Sequence, residues 1–457
     1  MGKATHKRLL SVLCVILGLL ITTEQAHAVP LIRDAEIEHT LRTYANPIFR
    51  ANGLKPSAVK IFIVNDDVLN AYVAGGSNMF LYTGLIKSCP TADMLLGVIA
   101  HETGHISGGH LAQGTEKLKN AELGTIMTFV LGAAAAAASG SPDVAAAVIT
   151  GGQSTVARNF LAFTRAHEEA ADQSALNALD KLNISASGMV KMFELLRRHD
   201  RERSKSRDPY LLTHPLTNLR IEHVRNHVEK SKIPEGQYPS QYELMHKRMI
   251  AKLYGFLETP ERTLMKYPLS DKSVAGRMAR AIAYYKMPDL SKSMQEMESL
   301  LAEYPNDPFF HELKGQILFE NNRVKESLAS YQRAVQLLPD SALILAELAR
   351  VEMAENNPAL YGSAIKHLEK SVDIDNTNPS TWRLLATAYG KAKNDGLSAL
   401  ALAEEAILID DPNQALSQLH KAIPILKTGT PPYQRALDLK ARALDVQRDK
   451  QKEKSPF

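Results

Sequence analysis

His101-Glu102-Thr103-Gly104-His105 holds two imidazoles and a carboxylate at the spacing HExxH. On a helix, residues four apart share a face, so His101 and His105 can aim ring nitrogens at one metal ion while Glu102 stands beside its open position. The chemistry to expect is hydrolysis, with water activated by Zn²⁺ attacking a carbonyl and Glu102 as general base. The spacing specifies the metal chemistry and leaves the acyl group open, so a non-peptidase zinc hydrolase is a competing reading. A satisfied pair of core histidines is the bland alternative.

Zinc needs a third protein ligand, and two candidates compete. Gly108 and His110 approach the extension HExxHxxGxxH, but its last histidine would fall at Leu111. The better candidate is Glu168, in Thr164-Arg165-Ala166-His167-Glu168-Glu169-Ala170-Ala171-Asp172. Glu168 and Asp172 are four apart, so a helix there puts both on one face. Glu168 can ligate while Asp172 accepts a hydrogen bond from a ligand imidazole, with His101 the expected donor. Glu169 and His167 are expected to point to solvent. The site is thus His101, His105 and Glu168 around one Zn²⁺ per chain, with Glu102 catalytic.

These residues need a scaffold. Ile37, Leu41, Tyr44 and Ile48 recur at helical steps within Ala35 to Asn52. Lys60 to Asn65 reads as a buried strand, and Asn70 to Ile86 as β-rich with a turn at Gly75-Gly76. The strand Ser77 to Tyr82 either pairs with an extended substrate by β-augmentation or lies inside the sheet. Thr91 or Asp93 is expected to cap the helix that runs into HExxH. Residues Leu123 to Gly152 are dominated by Ala and Gly and read as a helical hairpin packed on protein; peripheral membrane contact through 123–152 is the alternative.

The last third repeats itself. Tyr284, Ser293, Met297, Leu300 and Pro305 recur 34 residues on as Leu318, Ser327, Tyr331, Ala334 and Pro339. Two more units follow, with Ala364, Leu368 and Ser371, then Trp382, Leu385, Ala386 and Tyr389. The period and the small residues where helices touch match tetratricopeptide repeats, which stack into a superhelix with a protein-binding concave face.

At the start, Lys3, Lys7 and Arg8 precede an apolar run from Leu9 to Ile21, and Ala26-His27-Ala28 is a small-x-small site. The run is shorter than the ~20 residues of a membrane span, so residues 1–28 read as a cleavable secretory signal. Cys14 and Cys89 are the only cysteines. Loss of Cys14 with the signal leaves one thiol and no internal disulfide. A net charge of +4, with no long run of one sign, gives no footprint for nucleic acid.

The combination HETGH, RxxExxAD over Arg165 to Asp172, and His214-Pro215 with Arg220-Ile221 resembles the gluzincin peptidases of the HtpX-like group. Within that group the order of signal, zincin domain and C-terminal repeats resembles periplasmic members that tend outer-membrane proteins. The resemblance implies a zinc endopeptidase that degrades misassembled outer-membrane proteins, its repeats docking on the barrel-assembly machinery. It also implies that His214 approaches the metal, either as a transient fourth ligand or as a donor to the oxyanion. The Ala-rich insert between the two metal-binding segments departs from the group. A repeat-based chaperone or assembly adaptor with a latent or structural zinc site is the second functional reading.

The expected architecture is an α+β zincin-type metallopeptidase domain followed by an all-α tetratricopeptide-repeat superhelix. Its divisions are a signal peptide at 1–28, the peptidase at 29–265, repeats at 266–445 and a solvated basic tail at 446–457.

Overall fold

The computed structural model describes residues 30–110, 165–202, 210 and 214–454. The expected signal peptide and the Ala-rich stretch 123–152 lie outside the described residues. Among those described, no helix is long and apolar enough to cross a membrane.

The N-terminal half is α+β. Its elements begin with β1 (Leu31–Ile32), α1 (Ala35–Ala51), β2 (Lys60–Val64), β3 (Ala71–Ala74) and β4 (Asn78–Tyr82). There follow α2 (Thr83–Ser88), α3 (Ala92–Ser107), α4 (165–181), α5 (Ser187–Glu202) and α6 (Asn218–Lys230). The sheet order is β1-β2-β4-β3, with β2 parallel to β4 and the outer strands antiparallel to their neighbours. Strand β4 is therefore internal and paired on both sides, so it cannot take a substrate strand. The expectation of β-augmentation at Ser77 to Tyr82 is corrected: β3 is the strand at the end of the sheet.

Alternation sends Ile63, Met79, Leu81, Ala71 and Val73 into a core shared with Leu41, Tyr44 and Ile48 of α1 and Leu95, Leu96 and Ile99 of α3. Helix α3 is buried over almost its whole length, which an apolar run all round the helix permits. Thr91 occupies its N-cap without a side-chain bond, and Asp93 is buried against Lys191 at 2.9 Å. Thr91 therefore does not cap through its side chain, whereas Asp93, inside the first turn, accepts from the Met94 N–H at 3.0 Å.

The C-terminal half is all helical, in pairs. After α7 (Gln241–Leu257) and α8 (Pro260–Lys266) come α9 (Val274–Lys286) with α10 (Leu290–Glu303), then α11 (Pro308–Glu320) with α12 (Val324–Leu337). Next are α13 (Ala342–Ala354) with α14 (Tyr361–Ile374), and α15 (Pro379–Lys391) with α16 (Asp395–Leu408). Each of these pairs corresponds to a unit read from the period. A further pair, α17 (Pro412–Ile425) and α18 (Pro431–Lys454), extends the array. Residues 446–454 are thus the end of α18 and not a tail, and Lys450 pairs with Asp410 at 2.6 Å.

Small residues set the spacing inside each pair. Ser293, Ser327 and Ser398 donate to the carbonyls of Ala281, Gly315 and Ala386, at 2.7, 2.7 and 2.8 Å. A Cβ on Gly315 would lie 2.7 Å from the Tyr331 ring, so only glycine admits that tyrosine between the helices.

Helix α7 joins the halves by giving side chains to both cores. Lys252 on it is fully buried, with its Nζ 2.9 Å from Asp34, 3.2 Å from Glu312 and 3.5 Å from Glu36. Arg248 bridges Glu36 at 2.5 Å and Asp307 at 2.6 Å, over the Phe310 ring. Arg33 reaches Asp375 at 2.7 Å, and Ala35 packs with Phe309, Ile344 and Leu348. Part of the repeat surface is therefore occupied by the start of α1.

Candidate metal centre

Helices α3 and α4 meet at a glycine. A Cβ on Gly104 would lie 2.7 Å from the Ala171 carbonyl oxygen and 2.9 Å from its Cα, so the absent side chain is what lets the backbones approach. This close approach sets Glu168 and Asp172 of α4 against His101 and His105 of α3. His214 follows Tyr210 by one turn, its N–H donating to the Tyr210 carbonyl at 2.7 Å, and brings a third imidazole from a separate segment.

His101, His105, Glu168 and His214 are all buried, and one donor atom from each lies within 4.8 Å of the others. The Nε2 atoms of His101 and His105 are 3.2 Å apart, and each is 3.3–3.4 Å from an oxygen of Glu168. His214 Nδ1 is 3.2 Å from Glu168 and 3.5 Å from His101 Nε2. A tetrahedral metal with bonds of about 2.0–2.1 Å has ligand-to-ligand edges of roughly 3.3–3.4 Å. The donor set and its spacing fit a divalent metal ion.

The charges fit as well. Glu102, Glu168 and Asp172 are buried together, and Arg220 is the one buried cation among the described residues paired with them. Burial disfavours a proton on His101, yet hydrogen bonds to Asp172 and Glu168 outweigh it and push His101 up to about 10. A proton there balances the carboxylates, which is the charge that a metal would supply instead. Burial pushes Glu168 up, but contacts to His101, His105 and His214 dominate and hold it well below the usual carboxylate range. Burial likewise opposes ionisation of Asp172, and His101 and Arg220 hold it low.

Behind the donors stands a fixed support. Asp172 accepts from His101 Nδ1 at 2.8 Å, so the Nε2 lone pair is free to face the cluster. Arg220 donates to Asp172 from Nε at 2.6 Å and Nη2 at 2.9 Å, and to the Pro215 carbonyl at 2.9 Å. Its Nη1 also lies 2.8 Å from Glu168 Oε2, an ion pair outside hydrogen-bond geometry. Glu102 is fully buried with Oε1 3.5 Å from the Tyr210 hydroxyl and 3.6 Å from His214 Nε2. Among the described residues, its Oε2 and His214 Nε2 have no hydrogen-bond partner. Buried atoms of this kind ordinarily find one, and here they border the metal donors.

Three residues at the site escaped the sequence reading in their roles. Arg220 and Tyr210 are two of them, and Tyr210 carries the faint signal of standing four before His214. His110 is not a metal donor here, but its Nδ1 lies 3.0 Å from Nδ1 of His105, and its ring stacks on His167 at 4.2 Å. His167 is thus half-buried against His110 and not solvated as expected, while Glu169 is exposed. Cys89 is buried and free just before α3, with burial pushing its thiol up to about 12.

Residues 32–228 match the model for peptidase family M48. The N-terminal half is thus similar to M48 peptidases, and the chain is a metalloendopeptidase with a tetratricopeptide-repeat array behind it. It is 26% identical over 412 residues to the beta-barrel assembly-enhancing protease of Yersinia pestis, covering 88% of this chain and 82% of that protein. The protein of the same name from Escherichia coli K12 is 25% identical over 414 residues, with the same two shares. Metalloprotease LoiP of Escherichia coli K12 is 26% identical over 193 residues, 42% of this chain and 71% of LoiP.

Proposed function

We propose that the chain is a zinc endopeptidase of the bacterial periplasm that cleaves unfolded or misassembled outer-membrane proteins and assists their assembly. The observation that carries the chemistry is the convergence of four buried donor atoms within 4.8 Å, next to a Glu102 oxygen that has no hydrogen-bond partner among the described residues. His101, His105 and Glu168 would hold the zinc, which would supply a Lewis acid to polarise the scissile carbonyl and acidify the attacking water. Glu102 takes the proton from that water and passes it to the leaving amine. Tyr210 steadies the Glu102 carboxylate, and Asp172, held by Arg220, keeps His101 in the ligating tautomer.

His214 stands where a fourth ligand would stand, which supports transient ligation over oxyanion donation. With His214 in place the enzyme is latent, and its withdrawal opens a position for substrate. An extended substrate pairs with β3, the end strand of the sheet, whose inner face packs on α3. The signal-like leader and the two relatives named for β-barrel assembly support this reading of compartment and substrates. The repeats dock on the barrel-assembly machinery.

Incubating purified protein with unfolded outer-membrane proteins tests the reading. Fragments are expected, abolished by a chelator and restored by Zn²⁺; intact substrate after reconstitution would refute it. The closing position of His214 also favours a second reading, an assembly adaptor with a silent site. Complementation by Glu102→Gln and by a chain ending at residue 265 separates the two, since full rescue by Glu102→Gln supports the adaptor.

A further inference from the structure

The outer face of the sheet departs from the usual pattern. An antiparallel edge with one face on the core ordinarily alternates apolar inward and polar outward. Here Phe62, Phe80 and Tyr72 all point outward, and all three are half-exposed. They stand in register, Phe62 opposite Phe80 and Phe80 opposite Tyr72. Their rings form one row, with centroids 5.0 and 4.8 Å apart and planes within 17° and 14° of parallel. The row crosses three strands and ends at Tyr72 on β3. Among the described residues, no strand pairs with the other edge of β3.

The backbone at that edge is suited to a guest strand. Tyr82 donates to the Asn70 carbonyl at 3.1 Å, and antiparallel alternation then directs the amides of Tyr72 and Ala74 toward β4 and those of Ala71 and Val73 outward. A polypeptide bonded to Ala71 and Val73 places one residue directly opposite Tyr72, in the pair type where side chains come closest.

We propose that this aromatic row is a specificity subsite, and that the protein selects extended substrate segments carrying an aromatic side chain opposite Tyr72. The inference rests on the reading of β3 as the substrate strand. The occupant is an unfolded segment with aromatic residues at alternate positions, because such a strand adds a fourth ring to the row while its backbone runs beside the helix bearing HExxH. A row that only stiffens the sheet would show no substrate preference.

Two host peptides test it, identical except that every second residue is Phe in one and Ser in the other. The full-length, zinc-loaded protein is expected to cleave the Phe peptide with kcat/KM about fivefold higher, the range of one aromatic pair. Tyr72→Thr, which keeps a strand-forming residue, should bring that ratio close to one, and Tyr72→Phe should retain it. Binding of both peptides to Glu102→Gln, read by fluorescence anisotropy, should show the same preference in Kd and the same loss when Tyr72→Thr is added. A ratio near one in the wild-type protein overturns the inference without reference to any variant. An unchanged ratio in Tyr72→Thr also overturns it. If neither peptide is cleaved while Glu102→Gln still binds the Phe peptide more tightly through Tyr72, the subsite stands and the peptidase reading fails.

Discussion

Replacing Asp172 with Asn keeps the size of the side chain and removes its charge. Asp172 accepts three hydrogen bonds, from His101 Nδ1 at 2.8 Å and from Arg220 at 2.6 and 2.9 Å. The variant weakens the hold on His101 and leaves the buried Arg220 with Glu168 as its one carboxylate. Loss of such an outer partner costs about 10–100-fold in metal affinity, or roughly 1.4–2.8 kcal/mol. Breaking the buried pair costs about 3 kcal/mol of stability, the lower end of the range, because Glu168 still faces Arg220. Competition with a chromogenic chelator reads the first quantity, and urea unfolding reads the second. A folded Asp172→Asn protein that binds Zn²⁺ within about threefold of wild type would refute the claim that Asp172 sets the ligand.

Three further outcomes follow from the same geometry. His214→Ala opens the fourth position, so cleavage should rise several-fold in an assay of unfolded substrate; a fall of about 10²–10³ would instead assign His214 to the oxyanion. Gly104→Ala inserts a Cβ 2.7 Å from the Ala171 carbonyl, so it should part α3 from α4 and weaken Zn²⁺ binding at least about tenfold in chelator competition; unchanged affinity would contradict that packing. Burial, with Asp34 and Glu36 nearby, outweighs Lys252 and raises Glu312 to about 7. Its contribution is therefore full below its unfolded value and is lost as pH rises through about 7. The wild-type melting temperature should fall over that window, and Glu312→Gln, which mimics the protonated form, should flatten the fall.

Much of the centre can be read in sequence because helical spacing carries it. His101 with His105, and Glu168 with Asp172, are each four apart, and one turn of helix suffices to put each pair on a face. The repeats were legible for a similar reason, since their period records the contact of each helix pair. Arg220 and Tyr210 were not legible as support, because they reach the metal helices from segments whose approach no local spacing encodes. His110 returns to His105 only because α3 ends at Gly108 and Gly109 turns the chain with a φ of 63°. Strand order was likewise hidden: Asn70 to Ile86 reads as two strands, but nothing local says that the second is interior and the first is the edge. Lys252 looks like any helical lysine until its three carboxylate partners converge from both halves.

The central claim is that a metal held by His101, His105 and Glu168 works with Glu102 to cleave peptide bonds. Its most direct test measures zinc content and cleavage of an unfolded outer-membrane protein for the wild type and Glu102→Gln side by side. The account predicts one zinc per chain in both proteins, with cleavage lowered by at least about 10²-fold in the variant. Equal cleavage by the two proteins would contradict it.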